Sequence, residues 1–100
     1  MTKVRGVRGA TTTVDLSAEA IENATLELVS ELLSVNAIAA DDIAAVTFTT
    51  SPDLNADFPA RSARESVPGW EHVPLINTHE MSVPHGQKRC IRVLVLWNTD

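Results

Sequence analysis

The 100-residue sequence has little sulfur and few aromatic side chains: one cysteine, two tryptophans, two phenylalanines and no tyrosine. The single cysteine, Cys90, excludes an internal disulfide, and no Cys/His spacing of the kind that binds structural zinc is present. The apolar runs are too short to span a bilayer, and residues 1–8 are not followed by the apolar stretch of a signal peptide. We therefore expect a cytoplasmic protein that needs no metal, cofactor or membrane.

Basic residues are also scarce, since eight Lys and Arg against thirteen Asp and Glu give a net charge of -5. Binding to nucleic acid is not expected from such a chain, because it requires a continuous basic surface. No base occurs between residues 9 and 60, and six of the eight bases are arginines. Most fall in three clusters: Arg5 and Arg8; Arg61 and Arg64; Lys88, Arg89 and Arg92. Guanidinium groups pair bidentately with carboxylate or phosphate, so these clusters predict a pocket for a small anion.

The apolar pattern predicts one domain, residues 1–100, in which strands and helices alternate. Apolar side chains recur at helical spacing after Ser17, a good N-cap, so a helix is expected to lie on a sheet. Short β-branched runs bounded by turn residues predict the strands. The expected elements are a strand over 3–12, a helix over 17–35, a turn over 40–44, a strand over 46–50, a helix over 60–66, and strands over 72–77 and 88–98.

Arg92 is the most unusual charge, because its neighbours in the strand 90–97 are nearly all apolar. We expect its guanidinium to point into a mostly apolar environment, where a charge needs a partner. That partner is either Glu80 or another acid in a structural ion pair, or a bound anion. The chain has no recognisable nucleophile with its base, no phosphate loop and no metal constellation. A catalyst built from these residues would act by placement and electrostatics.

Eight short segments, in order through nearly the whole chain, resemble the AroH-type monofunctional chorismate mutases. They are 5–12 (RGVRGATT), 51–54 (SPDL), 58–61 (FPAR), 63–65 (ARE), 69–70 (GW), 73–74 (VP), 80–81 (EM) and 88–93 (KRCIRV). The resemblance implies an α+β fold, a single mixed-sheet α/β domain that assembles as a homotrimeric pseudo-barrel with an active site in each of three clefts between subunits. It also implies the Claisen rearrangement of chorismate to prephenate, without a cofactor.

The resemblance assigns roles to individual residues. Arg8 would hold a substrate carboxylate, Arg92 would bind the substrate and donate to its ether oxygen, and Glu80 would accept a hydrogen bond from the ring hydroxyl. The neighbouring subunit would supply Phe58 as a wall of the cleft and Arg64 at its mouth. The remaining contacts would be Ala60, Arg61, Leu75, Ile76 and Asn77, the last standing where the best-known members carry a cysteine.

The family continues beyond the position matched by Asp100, through a segment that brings a substrate-contacting tyrosine and another arginine. This sequence contains no tyrosine. Either these 100 residues are a truncated or partly ordered form of the chain, or this part of the site is absent. In both cases Arg8, Glu80 and Arg92 are kept.

Three other interpretations of the arginines are open at this point. An imine deaminase of the RidA type also places an arginine at a cleft between subunits of a trimer. A non-catalytic trimer could bind small anions with the same side chains. A monomeric structural domain would need Arg92 to be paired internally and would have no cleft.

Overall fold

The computed structural model describes residues 1–100 and contains four strands and two α-helices. Their order is β1 (Lys3–Thr12), α1 (Ala18–Asn36), a 3₁₀ turn (Ala40–Asp42), β2 (Ile43–Thr50), α2 (Pro59–Ser66), a second 3₁₀ turn (Trp70–His72), β3 (Leu75–His79) and β4 (Cys90–Thr99). The alternation predicted from the sequence is confirmed, with β2 beginning three residues earlier than expected. The strand predicted to begin at His72 begins instead at Leu75, because the Val73 N–H closes a turn on the Trp70 carbonyl at 3.2 Å.

The four strands form one mixed sheet in the order β1-β4-β2-β3. Strands β2 and β3 are parallel and are connected through α2, whereas β4 runs antiparallel to both β1 and β2. A parallel pair needs such a crossover connection, and here the segment with α2 provides it. The architecture is α+β with a mixed sheet, as the resemblance implied.

Helix α1 begins and ends on identifiable capping contacts. The Ser17 hydroxyl accepts a hydrogen bond from the Ala20 N–H at 3.1 Å, which confirms Ser17 as the N-cap. At the other end Ala37 takes a left-handed conformation with φ of 52°, and the Asn36 side chain donates to the Leu32 carbonyl at 2.9 Å. Neither this helix nor α2 is long and apolar enough to cross a membrane.

The two faces of the sheet have different surroundings. The face toward the helices carries the apolar core, in which Phe48, Trp70 and Ile91 are fully buried. No helix covers the opposite face, where Leu94 and Ile76 remain 41% and 61% exposed. Each strand alternates its side chains between these two faces, so the same strands build the core and present an open surface.

A cluster of hydrogen bonds fixes the start of β4. The Asp53 carboxylate accepts the Arg89 backbone N–H at 3.0 and 3.3 Å and also accepts the Ser51 hydroxyl. The Ser51 oxygen in turn accepts the Cys90 N–H at 2.9 Å. Arg89 adopts φ of 50°, an uncommon conformation for a residue with a side chain, so these contacts hold a strained backbone three residues before Arg92.

Asp53 should make the stability of the fold depend on pH. Its pKa is lowered from the usual 3.8, chiefly because the Ser51 hydroxyl donates to the carboxylate, with further lowering by the Arg89 backbone N–H and the Lys88 charge. A group whose pKa is lower in the folded state stabilises the fold above its unfolded pKa, and this stabilisation is lost as the pH falls through the folded value. We expect Asp53→Asn to lower the urea midpoint at pH 7, and the difference from wild type to shrink progressively below about pH 4.

Asp41→Asn is the matched control, because Asp41 is an exposed aspartate in the 3₁₀ turn before β2. Urea unfolding of the three proteins at pH 7 and at acidic pH measures the effect. Equal midpoints for Asp53→Asn and Asp41→Asn at pH 7 would contradict a stabilising role for the Asp53 carboxylate.

Candidate active site

Arg92 lies on the open face of the sheet and not in the core. Its strand neighbours Ile91 and Val93 point inward and are almost fully buried, so the alternation of β4 turns Arg92 outward. Its side chain is 46% exposed, and the expectation that it points into an apolar environment is wrong. Periodicity could not indicate this, because β4 carries apolar residues on both of its faces.

Glu80 is the partner of Arg92. The Arg92 Nη1 donates to Glu80 Oε2 at 3.3 Å, and the Glu80 side chain is 38% exposed. The other Glu80 oxygen accepts the Met81 N–H at 3.0 Å, while the Glu80 N–H donates to the Thr50 carbonyl at 2.7 Å. The backbone of Glu80 is thereby fixed to the end of β2, and its carboxylate faces the guanidinium.

The ion pair lines a cleft of about 1050 Å³ between the end of the sheet and the segment that connects β3 to β4. Lys88 and Arg89 line the same cleft, together with Met81 and Asp53. Three cationic side chains therefore surround one cavity, which suits an anionic ligand. The sequence marked the 88–92 cluster but did not assign Lys88 or Arg89 to the site; only their proximity to Arg92 in the chain could have indicated it.

Arg8 is near this cleft but is not part of its lining. It is opposite Leu94 in the β1/β4 ladder, and Ala10 is opposite Arg92. Arg8 and Arg92 are thus diagonal neighbours on the open face, at roughly 7–8 Å between α-carbons. The two guanidinium groups can approach the same small dianion from neighbouring strands.

A second cavity of about 480 Å³ lies on the α2 side of β3. Its lining consists of Phe58, Ala60, Arg61, Arg64, Leu75 and Asn77, all of which were predicted as substrate contacts. Ile76 is not in this lining, because it points to the open face of the sheet and is 61% exposed.

Asn77 links the two elements that build the second cavity. Its Oδ1 accepts the Ala60 N–H at 2.9 Å, near the start of α2, where the N-cap Phe58 provides no side-chain cap. Because the backbone N–H can only donate, the Asn77 oxygen is committed to it and the amide nitrogen keeps its two donors for other contacts. Arg61 is less available, since it pairs with Asp57 at 3.6 Å and with Glu65 at 3.5 Å.

The predicted site residues therefore form two groups within the chain. Glu80 and Arg92 line the first cleft, with Arg8 close by, and six of the other seven line the second cavity; the two linings share no residue. No group of three or more His, Cys, Asp and Glu side chains lies together as a metal ion would require. The chemistry that this arrangement offers is recognition and stabilisation of negative charge.

Comparisons with known proteins agree on one family. The family model for chorismate mutase type I matches residues 4–100. Chorismate mutase AroH of Thermus thermophilus is 47% identical over 98 residues, which are 97% of this chain and 79% of that protein. Chorismate mutase AroH of Bacillus subtilis (strain 168) is 38% identical over 97 residues, 97% of this chain and 76% of that protein.

A solved structure supports the same assignment at the level of the fold. The chorismate mutase from Clostridium thermocellum, Cth-682, superposes with a TM-score of 0.90 at 40% sequence identity, covering 96% of this chain and 84% of that chain. Within this fold Arg8 and Arg92 lie on strands β1 and β4, and Glu80 directly follows β3. With the family model spanning residues 4–100, the chain belongs to the chorismate mutase type I family.

Proposed function

We propose that this chain catalyses the Claisen rearrangement of chorismate to prephenate. The observation that carries the proposal, in a chain of this family, is the Arg92–Glu80 pair at the wall of the first cleft. Both side chains are partly exposed, so each can exchange its partner for a group of the substrate. The imine deaminase and the non-catalytic anion-binding trimer find no support, since the family and the relatives are chorismate mutases.

The rearrangement breaks a carbon–oxygen bond and forms a carbon–carbon bond within one molecule, so it transfers no proton to the protein and needs no cofactor. Negative charge grows on the ether oxygen as its bond breaks. Arg92 carries a permanent positive charge and donates to that oxygen, an interaction that is stronger in the transition state than in bound chorismate. Such a preorganised donor lowers the barrier without further rearrangement of the site.

Arg8 and Glu80 hold the substrate in the reactive shape. Arg8 binds a carboxylate of the dianion, and Glu80 accepts a hydrogen bond from the ring hydroxyl. Fixing both ends of a flexible molecule in a near-attack conformation removes much of the entropic part of the barrier. The Asn77 amide nitrogen, whose two N–H groups are not used in the Ala60 contact, is available to the substrate at the other wall.

The complete site is shared between subunits of a homotrimer. Two linings without a common residue support this, because the Phe58 and Arg64 group of one chain can close the Arg92 and Glu80 cleft of the next. Phe58 is 61% exposed, which suits an aromatic wall awaiting a partner surface. The open sheet face, with Leu94 and Ile76, supplies apolar area for the assembly. Each subunit is one domain, and the trimer acts in the cytoplasm.

Replacing Arg92 should affect turnover far more than binding. We expect Arg92→Ala to lower kcat by roughly a hundredfold or more, since loss of one preorganised donor costs roughly 3 kcal/mol. Arg92→Lys should also fail, because an ammonium group does not reproduce the planar fork. The loss of chorismate absorbance measures turnover, and Arg5→Ala, a base on β1 outside both cavities, is the control. Near-normal turnover by Arg92→Lys would be incompatible with this role.

Mixing inactive subunits tests the shared cleft. Arg64→Ala and Arg92→Ala chains, refolded together, should form trimers in which one of three clefts has both arginines intact. A random equal mixture then recovers roughly a quarter of wild-type activity, because roughly three quarters of the trimers are mixed. Each variant refolded alone is the control. Verified hetero-trimers without recovered activity would show that both arginines serve the same subunit's site.

The chemical step should be independent of metals and of proton transfer. Turnover is expected to survive treatment with a chelator and to show no solvent deuterium effect on the chemical step. A bell-shaped pH profile with both limbs near neutrality would instead indicate general acid–base catalysis and contradict the mechanism.

A further inference from the structure

The ion pair between Arg92 and Glu80 spans the width of β2. The sheet order places β2 between β4, which carries Arg92, and β3, which Glu80 follows directly. Neighbouring strands lie about 4.8 Å apart, so the two backbones are roughly 10 Å apart with one strand between them. Any β2 side chain on the open face at this level lies beneath or beside the ion pair.

Thr49 is that side chain. It is opposite Arg92 in the antiparallel ladder and opposite Thr78 in the parallel one. Residues directly opposite each other in a sheet share a face, so Thr49 emerges on the open face next to the base of the Arg92 side chain.

The Thr49 hydroxyl is buried and has no hydrogen-bond partner. Buried hydroxyl groups are normally paired, because an unpaired one has lost its water without compensation. Valine has nearly the same shape, suits a strand at least as well and would avoid this cost. Packing of the fold therefore does not explain why a threonine stands at position 49.

The oxygen is already covered within its own subunit, so a neighbouring chain does not readily reach it. A side chain of the same subunit can supply a partner by moving. Arg92 is the donor directly across the ladder, and its guanidinium has five N–H groups, of which an Nη1 hydrogen is committed to Glu80.

We infer that Thr49 is a positioning residue for Arg92. Its hydroxyl oxygen accepts a guanidinium N–H when Arg92 exchanges Glu80 for the ether oxygen of the substrate. A neutral acceptor fixes the plane of the guanidinium but leaves its charge available, whereas a second carboxylate would neutralise it. The inference rests on the proposed function and adds a residue to its site.

The role predicts a specific kinetic signature. Without the hydroxyl, the cation remains in the cleft, but its plane is no longer fixed toward the charge that develops in the transition state. Turnover should therefore fall while substrate binding changes little.

The experiment compares Thr49→Val, Thr49→Ser and Thr47→Val with the wild-type full chain, measuring steady-state chorismate turnover and the thermal midpoint of unfolding. Thr47 is the matched control because it lies two residues away on the same face, opposite Leu94 and Ile76 instead of a charge. We expect Thr49→Val to lose roughly tenfold in kcat with KM within about twofold of wild type. Its thermal midpoint should be unchanged or higher, because it removes an unpaired buried hydroxyl.

Thr49→Ser retains the hydroxyl and should keep kcat within about threefold of wild type, as should Thr47→Val. A Thr49→Val enzyme with wild-type kcat would overturn the inference and leave the proposed function intact. A kcat loss shared equally by Thr49→Val and Thr47→Val with lowered thermal midpoints would also overturn it, since it would indicate packing. A wild-type chain that does not convert chorismate would refute the proposed function, and the inference with it.

Discussion

Strand β4 places its side chains alternately in the apolar core and on the open face of the sheet. Because successive residues of a strand point to opposite faces, the choice of face for one residue fixes it for all the others. Val93 and Val95 must enter the core beneath the helices, so Arg92 and Leu94 must leave it on the other side. A shift of one residue would bury the guanidinium and expose the valines. The antiparallel partners on both sides, β1 and β2, hold this register over ten and six consecutive residue pairs, respectively. The position of the principal charge of the site is thus a consequence of core formation.

The same constraint leaves one side of the sheet without cover. Helices α1 and α2 occupy the core side, and no element within residues 1–100 covers the other side. The open face carries leucine and isoleucine beside two arginines, a combination that water solvates only in part. Assembly of identical subunits resolves both problems in the proposed trimer, because it covers apolar area and brings the second cavity of one chain to the charged cleft of another. Structure and activity then depend on the same contact.

Much of the secondary structure could be predicted from local sequence signals. Ser17 is predictable as a helix N-cap because its hydroxyl can accept a backbone N–H from the first turn. The strand over 3–12 is predictable from short β-branched runs. The environment of the Arg92 side chain could not be predicted, because Leu94 and Leu96 make the outer face of β4 as apolar as the inner face. Periodicity therefore does not decide which face meets the helices. Val73 is not part of a strand because its N–H donates to the Trp70 carbonyl in a 3₁₀ turn. Gly69, in a left-handed conformation, directly precedes that turn. Both errors concern pairing and packing, which involve residues distant in the sequence.

The strength of the Arg92–Glu80 pair determines what the site can do with an anion. At the surface, a single ion pair with both side chains partly exposed is worth little, because water screens the charges. Exchange of this pair for contacts with a substrate therefore costs little in the open cleft. Closure by a neighbouring chain would exclude water and lower the local dielectric, so the same guanidinium would act more strongly on charge that develops during reaction. An arginine that is weakly engaged when the cleft is open and strongly engaged when it is closed can favour the transition state over the bound substrate, which is the condition for catalysis without covalent or acid–base chemistry.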